Sequence, residues 1–242
     1  MRTLALTLLI VAGVVGASFL VSRSQTSAKK ARKGPGAAGP VPRMPDGKPD
    51  LSGVWNAPNT VDAGRPEMLP WAAKLTKERT DNQFKDDPEA RCLPSGVPRI
   101  TQFPWKVIQT PAVLAILFEG NIHSFRQVFL DGRGHPADPD PTWFGHSIGA
   151  WDGDTLVIDS VGFNDKFWFD INGHPHTTQL HVIERYRRRD FWNMDQEITI
   201  IDPGAYTKPW IIKRNAVLDT KGDLQEYICN ENNRDPAHMI GK

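Results

Sequence analysis

The stretch Leu180-His181-Val182-Ile183-Glu184-Arg185-Tyr186-Arg187, followed by Trp192-Asn193-Met194-Asp195-Gln196-Glu197-Ile198-Thr199-Ile200, decides the fold. Leu180, Val182 and Tyr186 alternate with His181, Arg185 and Arg187, and Trp192, Met194, Ile198 and Ile200 alternate with Asn193, Asp195 and Glu197. A period of two belongs to strands with one buried face, because successive side chains of a strand point to opposite sides. Working outward, Asp152-Gly153 separates apolar runs at 148–151 and 155–159 and marks a hairpin. Further strands are expected at 105–110, 112–119, 123–130, 209–218 and 224–230, with Leu51, Gly53 and Trp55 opening the series. About eight or nine antiparallel strands in sequence order must bury one face each and manage their edges, which a barrel or a sandwich achieves. The expectation is therefore a mainly β protein, an antiparallel meander closed as a barrel or folded as a two-sheet sandwich. One short surface helix is expected near 70–84, where Pro70 suits the first turn.

Composition agrees with short elements joined by many turns, since glycine and proline each number 20 among the 242 residues. Basic and acidic residues nearly cancel, 29 against 28, so the electrostatic footprint of a nucleic-acid binder is missing. Arg185, Arg187, Arg188 and Arg189 read as a solvated strand end.

The N-terminus carries a separate signal. From Thr3 to Ser22 no charge interrupts the apolar run, and Val15-Gly16-Ala17 offers small residues for signal-peptide cleavage after Ala17. An uncleaved anchor is the rival, because the run reaches about bilayer-spanning length. Arg23, Lys29, Lys30, Arg32 and Lys33 follow it, which leaves a third arrangement with the domain on the cytoplasmic side. Residues 1–22 are thus a leader or anchor, 23–45 a Lys, Ala, Gly and Pro linker, and 46–242 one β-rich domain. The expected location is periplasmic or secreted, or tethered to the inner membrane by residues 3–22, with no other membrane contact. Cys92 and Cys229 are either a disulfide or two separate buried thiols.

Gly53-Val54-Trp55 resembles the Gly-x-Trp signature of lipocalins, in which the tryptophan packs across the closed end of the barrel. A broader set comprises Pro45-Asp46-Gly47-Lys48-Pro49-Asp50-Leu51-Ser52-Gly53-Val54-Trp55, Cys92-Leu93-Pro94, Trp151-Asp152-Gly153-Asp154-Thr155-Leu156-Val157, Gly173-His174-Pro175-His176 and Cys229-Asn230-Glu231-Asn232. It is similar to a family of bacterial exported proteins. That resemblance implies export and the domain limits, and it implies no activity.

Candidate chemistry follows from strand parity. Glu184 shares a face with Leu180, Val182 and Tyr186, and Arg126 shares one with Val128 and Leu130, so both point inward. A buried Glu184 suits general acid or base catalysis, or else forms a structural ion pair with Arg126. Glu119 closes the apolar run Val113, Ala115, Leu117 and is a second inward candidate. The expected ligand-binding set is Glu119, Arg126, Trp143, His146, Trp151 and Glu184. His174, His176 and His181 have the type and closeness for a divalent metal such as zinc or iron, and His174-Pro175-His176 resembles the His-x-His of cupins, whose second motif is not recognisable here. Phe167-Trp168-Phe169, set in a connection between strands, suits a ligand mouth, a partner surface or membrane contact. Ser147 lies in a Gly-x-Ser-x-Gly match, but its flanks suggest a turn into a strand rather than a strand-to-helix elbow. Three classes of function remain: a small-molecule-binding barrel, an enzyme using the same cavity, and an interaction module.

Overall fold

The computed structural model describes residues 36–56, 58–120 and 124–231; the expected leader and the first part of the expected linker lie outside them. The alternating stretch at 180–200 forms two long strands, β8 (His181–Arg188) and β9 (Asn193–Ile201). Val182, Glu184, Tyr186 and Arg188 are buried while the residues between them are half-buried or exposed, as period two requires. Ahead of them in the chain lie β1 (Gly53–Trp55), β2 (Asn59–Asp62), α1 (Pro70–Asp81), β3 (Trp105–Gln109), β4 (Val113–Phe118), β5 (Ser124–Phe129), β6 (His146–Asp152) and β7 (Thr155–Val161). After β9 comes β10 (Trp210–Asp219).

Among the described residues these ten strands make one sheet, ordered β1-β3-β4-β5-β6-β7-β8-β9-β10-β2, and a further β1–β10 pairing closes nine of them into a barrel. Closure leaves β2 as the additional strand, lying against Lys213 to Asn215 of β10 while Leu218 and Asp219 pair with β1. The β6–β7 hairpin turns through Gly153 and Asp154, with Gly153 at φ +58°, where a side chain is disfavoured.

Two details depart from a simple meander. β5 and β6 run parallel and share only Val128↔Ser147 and Phe129↔Ile148, because the intervening connection, with Pro136, Pro139 and Pro141, crosses over before re-entering the sheet. The strand expected at 224–230 does not form. β10, the strand that precedes it, is already paired on both edges, with β9 on one side and β1 and β2 on the other, so the segment cannot extend the sheet from β10. That segment is instead pinned along the surface by Lys106–Asp223 at 2.8 Å and by Gln225 N–H donating to Glu119.

Cys92 and Cys229 are joined, with α-carbons 5.6 Å apart and a sequence separation of 137. Cross-linking so long a loop restricts the unfolded chain and stabilises by about 2–4 kcal/mol. Reduction with dithiothreitol is expected to lower the denaturant midpoint accordingly, and a Cys92→Ser/Cys229→Ser double variant should match the reduced protein.

One barrel end is filled by Trp55, whose ring stacks on Trp105 at 6.1 Å and lies under the Arg188 guanidinium at 5.2 Å. α1 lies beside the 202–206 turn, with Trp71 Nε1–H donating to Gly204 and Arg79 to Gly173. Part of the expected linker packs on the barrel: Trp192 donates to Ala37, Phe191 N–H to Gly39, and Arg43 pairs with Asp154 at 2.6 Å. Among the described residues no helix is long and apolar enough to cross a membrane.

Candidate functional site

Register places a polar group inside an otherwise apolar interior. Ser147, Ser160 and Val182 are successive cross-strand partners on β6, β7 and β8, and Tyr186, Gln196 and Arg214 are partners on β8, β9 and β10. Glu184 is 0% exposed and lies between these two rows, opposite Ile158 and Ile198. Arg126, 2% exposed, enters from β5. Its Nη2 is 2.5 Å from Glu184 Oε2, a fully buried ion pair. That nitrogen donates to Ser160 at 2.6 Å, Nε donates to Ser147 at 2.9 Å, and the two serine hydroxyls are 2.9 Å apart. Tyr186 donates its hydroxyl to Glu184 Oε1 at 2.8 Å. Burial, with the Glu184 charge beside it, holds the Tyr186 phenol well above its ordinary range, so it remains a donor.

Several buried atoms of this group lack a hydrogen-bond partner: Arg126 Nη1, Gln196 Nε2 and Oε1, Arg214 Nε and Trp105 Nε1. Arg214 donates to Pro98 O and to the Thr101 hydroxyl, and burial lowers its pKa from the ordinary guanidinium value. Arg214 also feels the charges of Glu184 and Asp170. Arg188, the remaining arginine on the inward face of β8, sits at the tryptophan end, donates to the Asp50 and Phe191 carbonyls, and has Asp50 and Asp190 near it.

The short β5–β6 pairing leaves a gap in the sheet beside this group. Beyond Val128 and Ser147 the two strands separate, leaving a cleft of about 390 Å³. Phe125, Phe129, Pro136, Pro139 and Phe144 form its apolar walls, and Arg126 and Ser147 contribute the buried polar groups. His146 borders the same cleft, with its ring stacked 5.4 Å from Phe129. Its Nδ1 is 2.8 Å from His135 Nδ1, while His135 Nε2 and His181 Nε2 lie 3.1 and 2.7 Å from Asp159 Oδ1.

Other expected site residues are placed elsewhere. Glu119 stands at the end of β4 and accepts from Gln225, apart from the Arg126–Glu184 group. Trp143 and Trp151 pack against the core, with Lys48 over the Trp151 ring at 6.0 Å. His174, His176 and His181 do not converge: His174 bonds Asp170 at 2.8 Å, His176 lies between the rings of Phe167 and Phe169, and His181 holds Asp159. Among the described residues no three His, Cys, Asp or Glu side chains are placed to hold a metal ion, because the 170–181 turn sends each imidazole to a different partner. Phe167, Trp168 and Phe169 are buried, at 1%, 3% and 0% exposure, and so form core rather than a mouth. Ser147 lies on a strand, its hydroxyl accepting from Arg126.

The cleft walls escape a reading by sequence, since the parallel junction that makes them has no local signature. Ser160, Gln196 and Arg214, by contrast, have the inward parity that singles out Glu184 and are recoverable from it. Hollows elsewhere carry less: on the outer face of β8 to β10, Arg185, Arg189 and Lys213 are already paired with Asp152, Asp195 and Glu197.

Burial also depresses the pKa of His146 and His176 below the ordinary 6.5. The unfolded chain then takes up protons before the folded one, so this contribution to stability is complete above pH 6.5 and is lost as pH falls below it. The midpoint of thermal unfolding is expected to drop between about pH 7.5 and about pH 5.5. A His176→Leu variant should show a shallower drop, and an equal slope in both proteins would refute the assignment of this effect to His176.

Comparison of the chain with family models, with curated proteins and with solved structures returned no match. Fold and interior together define a closed β-barrel compatible with a small-molecule-binding cavity. Arg126 and Ser147 border an apolar-walled cleft where β5 and β6 share only two register pairs.

Proposed function

We propose that this barrel binds a small molecule with an apolar body in the cleft between β5 and β6, and that it does so outside the cytoplasm as an exported protein. One observation carries the binding: the strands part where aromatic and proline walls lead to a buried arginine and serine, in a volume of about 390 Å³. Binding sites for small molecules are mostly apolar concavities with a few placed polar groups, and that volume lies within their usual range. Export is supported by the uncharged run from Thr3 to Ser22 and by the Cys92–Cys229 bond, since disulfides persist in oxidising compartments.

The neutral fluorophore N-phenyl-1-naphthylamine tests the cleft directly. Its emission should rise on binding the wild-type protein and should fall in a Phe125→Ser variant, which removes a wall residue that is 62% exposed and therefore dispensable for folding. No enhancement with wild type, or an unchanged response in the variant, refutes the site. Fractionation of the native host with N-terminal sequencing tests export, the expected mature chain beginning at Ser18 in the soluble periplasmic or secreted fraction.

A further inference from the structure

We infer that the cleft releases its ligand in acid, because the wall formed by residues 131–141 is fastened to the barrel through an imidazole pair, His135 and His146, that holds only while one of the two rings is neutral; this rests on the cleft being the binding site. The first ground is the way that wall is attached. The chain leaves β5 at Leu130, whose N–H donates to Ala112, and is next bonded through its backbone at Thr142, whose N–H donates to Gly162. Among the described residues, none from 131 to 141 makes a backbone hydrogen bond to the barrel. Pro136, Pro139 and Asp140 of this segment nevertheless border the cleft. His135 is its polar attachment: Nδ1 lies 2.8 Å from His146 Nδ1 on β6, and Nε2 lies 3.1 Å from Asp159 Oδ1 on β7. Apart from that, Pro139 lies over Gly162, where a β-carbon would come within 2.9 Å of its ring, and Arg133 lies over Phe129 at 4.0 Å.

The second ground is the proton count. An imidazole nitrogen either carries a proton and donates or is bare and accepts, so a contact between two Nδ1 atoms needs one of them bare, whichever ring that is. One proton added to the pair leaves the hydrogen bond intact, whereas a second turns both rings into donors of like charge that face each other. Asp159 faces His135, but it is shared with His181, whose Nε2 lies 2.7 Å from the same oxygen. Arg133, paired with Asp131, also acts on His146, and Asp140 is exposed at the cleft rim. In acid, three imidazolium charges and Arg133 therefore gather around Asp159. Burial, then His135 and Arg133, lower the pKa of His146 below the ordinary 6.5, so the parted pair takes up protons more readily and acid favours the parted state. The side chains of His135, His181 and Asp159 are 20%, 32% and 38% exposed, so protons reach the group without unfolding.

The experiment is titration of N-phenyl-1-naphthylamine into the wild-type full-length protein at about pH 7.5 and about pH 5.5, at a temperature below the unfolding midpoint at either pH. Affinity is expected to fall by about fivefold or more at the lower pH, the lower end of the usual coupling between two linked binding events. His135 does not line the cleft, and His135→Leu removes the attachment. In that variant binding should be weak already at neutral pH and should change by less than about twofold between the two, no coupling being left. Tight wild-type binding that is indifferent to pH overturns the fastening while leaving the cleft as a binding site, and so does a His135→Leu protein that keeps the wild-type fall. Absence of binding at neutral pH removes the cleft, and the inference with it. Should His135→Leu not fold, nitrogen NMR of the assigned wild-type histidine rings decides. Release of the fluorophore is expected at the pH where His135 and His146 both become doubly protonated, and release while either ring is still neutral overturns the inference.

Discussion

Glu184→Gln is expected to destabilise the barrel by about 3–5 kcal/mol, the loss that follows when one member of a buried ion pair is removed and the other remains. The substitution keeps the shape of the side chain and keeps an oxygen to accept from Tyr186, so the packing of β8 against β7 and β9 is conserved. What changes is charge: Arg126 would lose its buried ion-pair partner, and Asp170 would remain as a carboxylate acting on Arg214. Urea unfolding followed by tryptophan fluorescence measures the difference. A double variant, Glu184→Gln with Arg126→Met, should recover much of the loss, because two neutral groups of similar volume replace two paired charges. A Glu184→Gln protein within about 1 kcal/mol of wild type would mean that water reaches the pair, and the interior would then not be the low-dielectric site described above.

The prominence of Glu184 and Arg126 in the sequence has a simple physical origin. A strand repeats every two residues whatever its neighbours are, so Leu180, Val182 and Tyr186 determine where Glu184 points, and Val128 does the same for Arg126. Barrel closure was legible for a related reason, since many half-buried strands must resolve their edges. Strand order was less legible. Nothing local in 130–145 tells whether the chain re-enters antiparallel or crosses over, and that choice creates the cleft. The histidines illustrate the same limit from the other side: three imidazoles within eight residues look like a ligand set, yet Asp170, Phe167 and Asp159 each take one of them, and those partners are set by tertiary packing. The strand expected at 224–230 does not form because alternation supplies a face, whereas both edges of the preceding β10 are already taken.

Phe167→Ala is expected to cost about 3–5 kcal/mol, the usual loss when a fully buried aromatic ring is cut back to a methyl group. The ring meets Phe163 at 6.0 Å, Phe169 at 6.1 Å and His176 at 4.0 Å. It also lies flat on Gly96, where a β-carbon would come within 2.3 Å of the ring and where φ is +63°, so the backbone has been shaped to receive it. Truncation would leave a void bounded by rigid rings and a turn that cannot collapse into it, which places the loss toward the upper part of that range. A role as a ligand mouth predicts the opposite pattern: an exposed aromatic is removable within about 0.5 kcal/mol, and its removal abolishes binding. Denaturant unfolding and fluorophore titration on one preparation of Phe167→Ala therefore separate the two. A large drop in stability with the affinity of the folded fraction unchanged places Phe167 in the core. A stable variant that no longer binds would move the functional site from the β5–β6 cleft to the 165–178 loop.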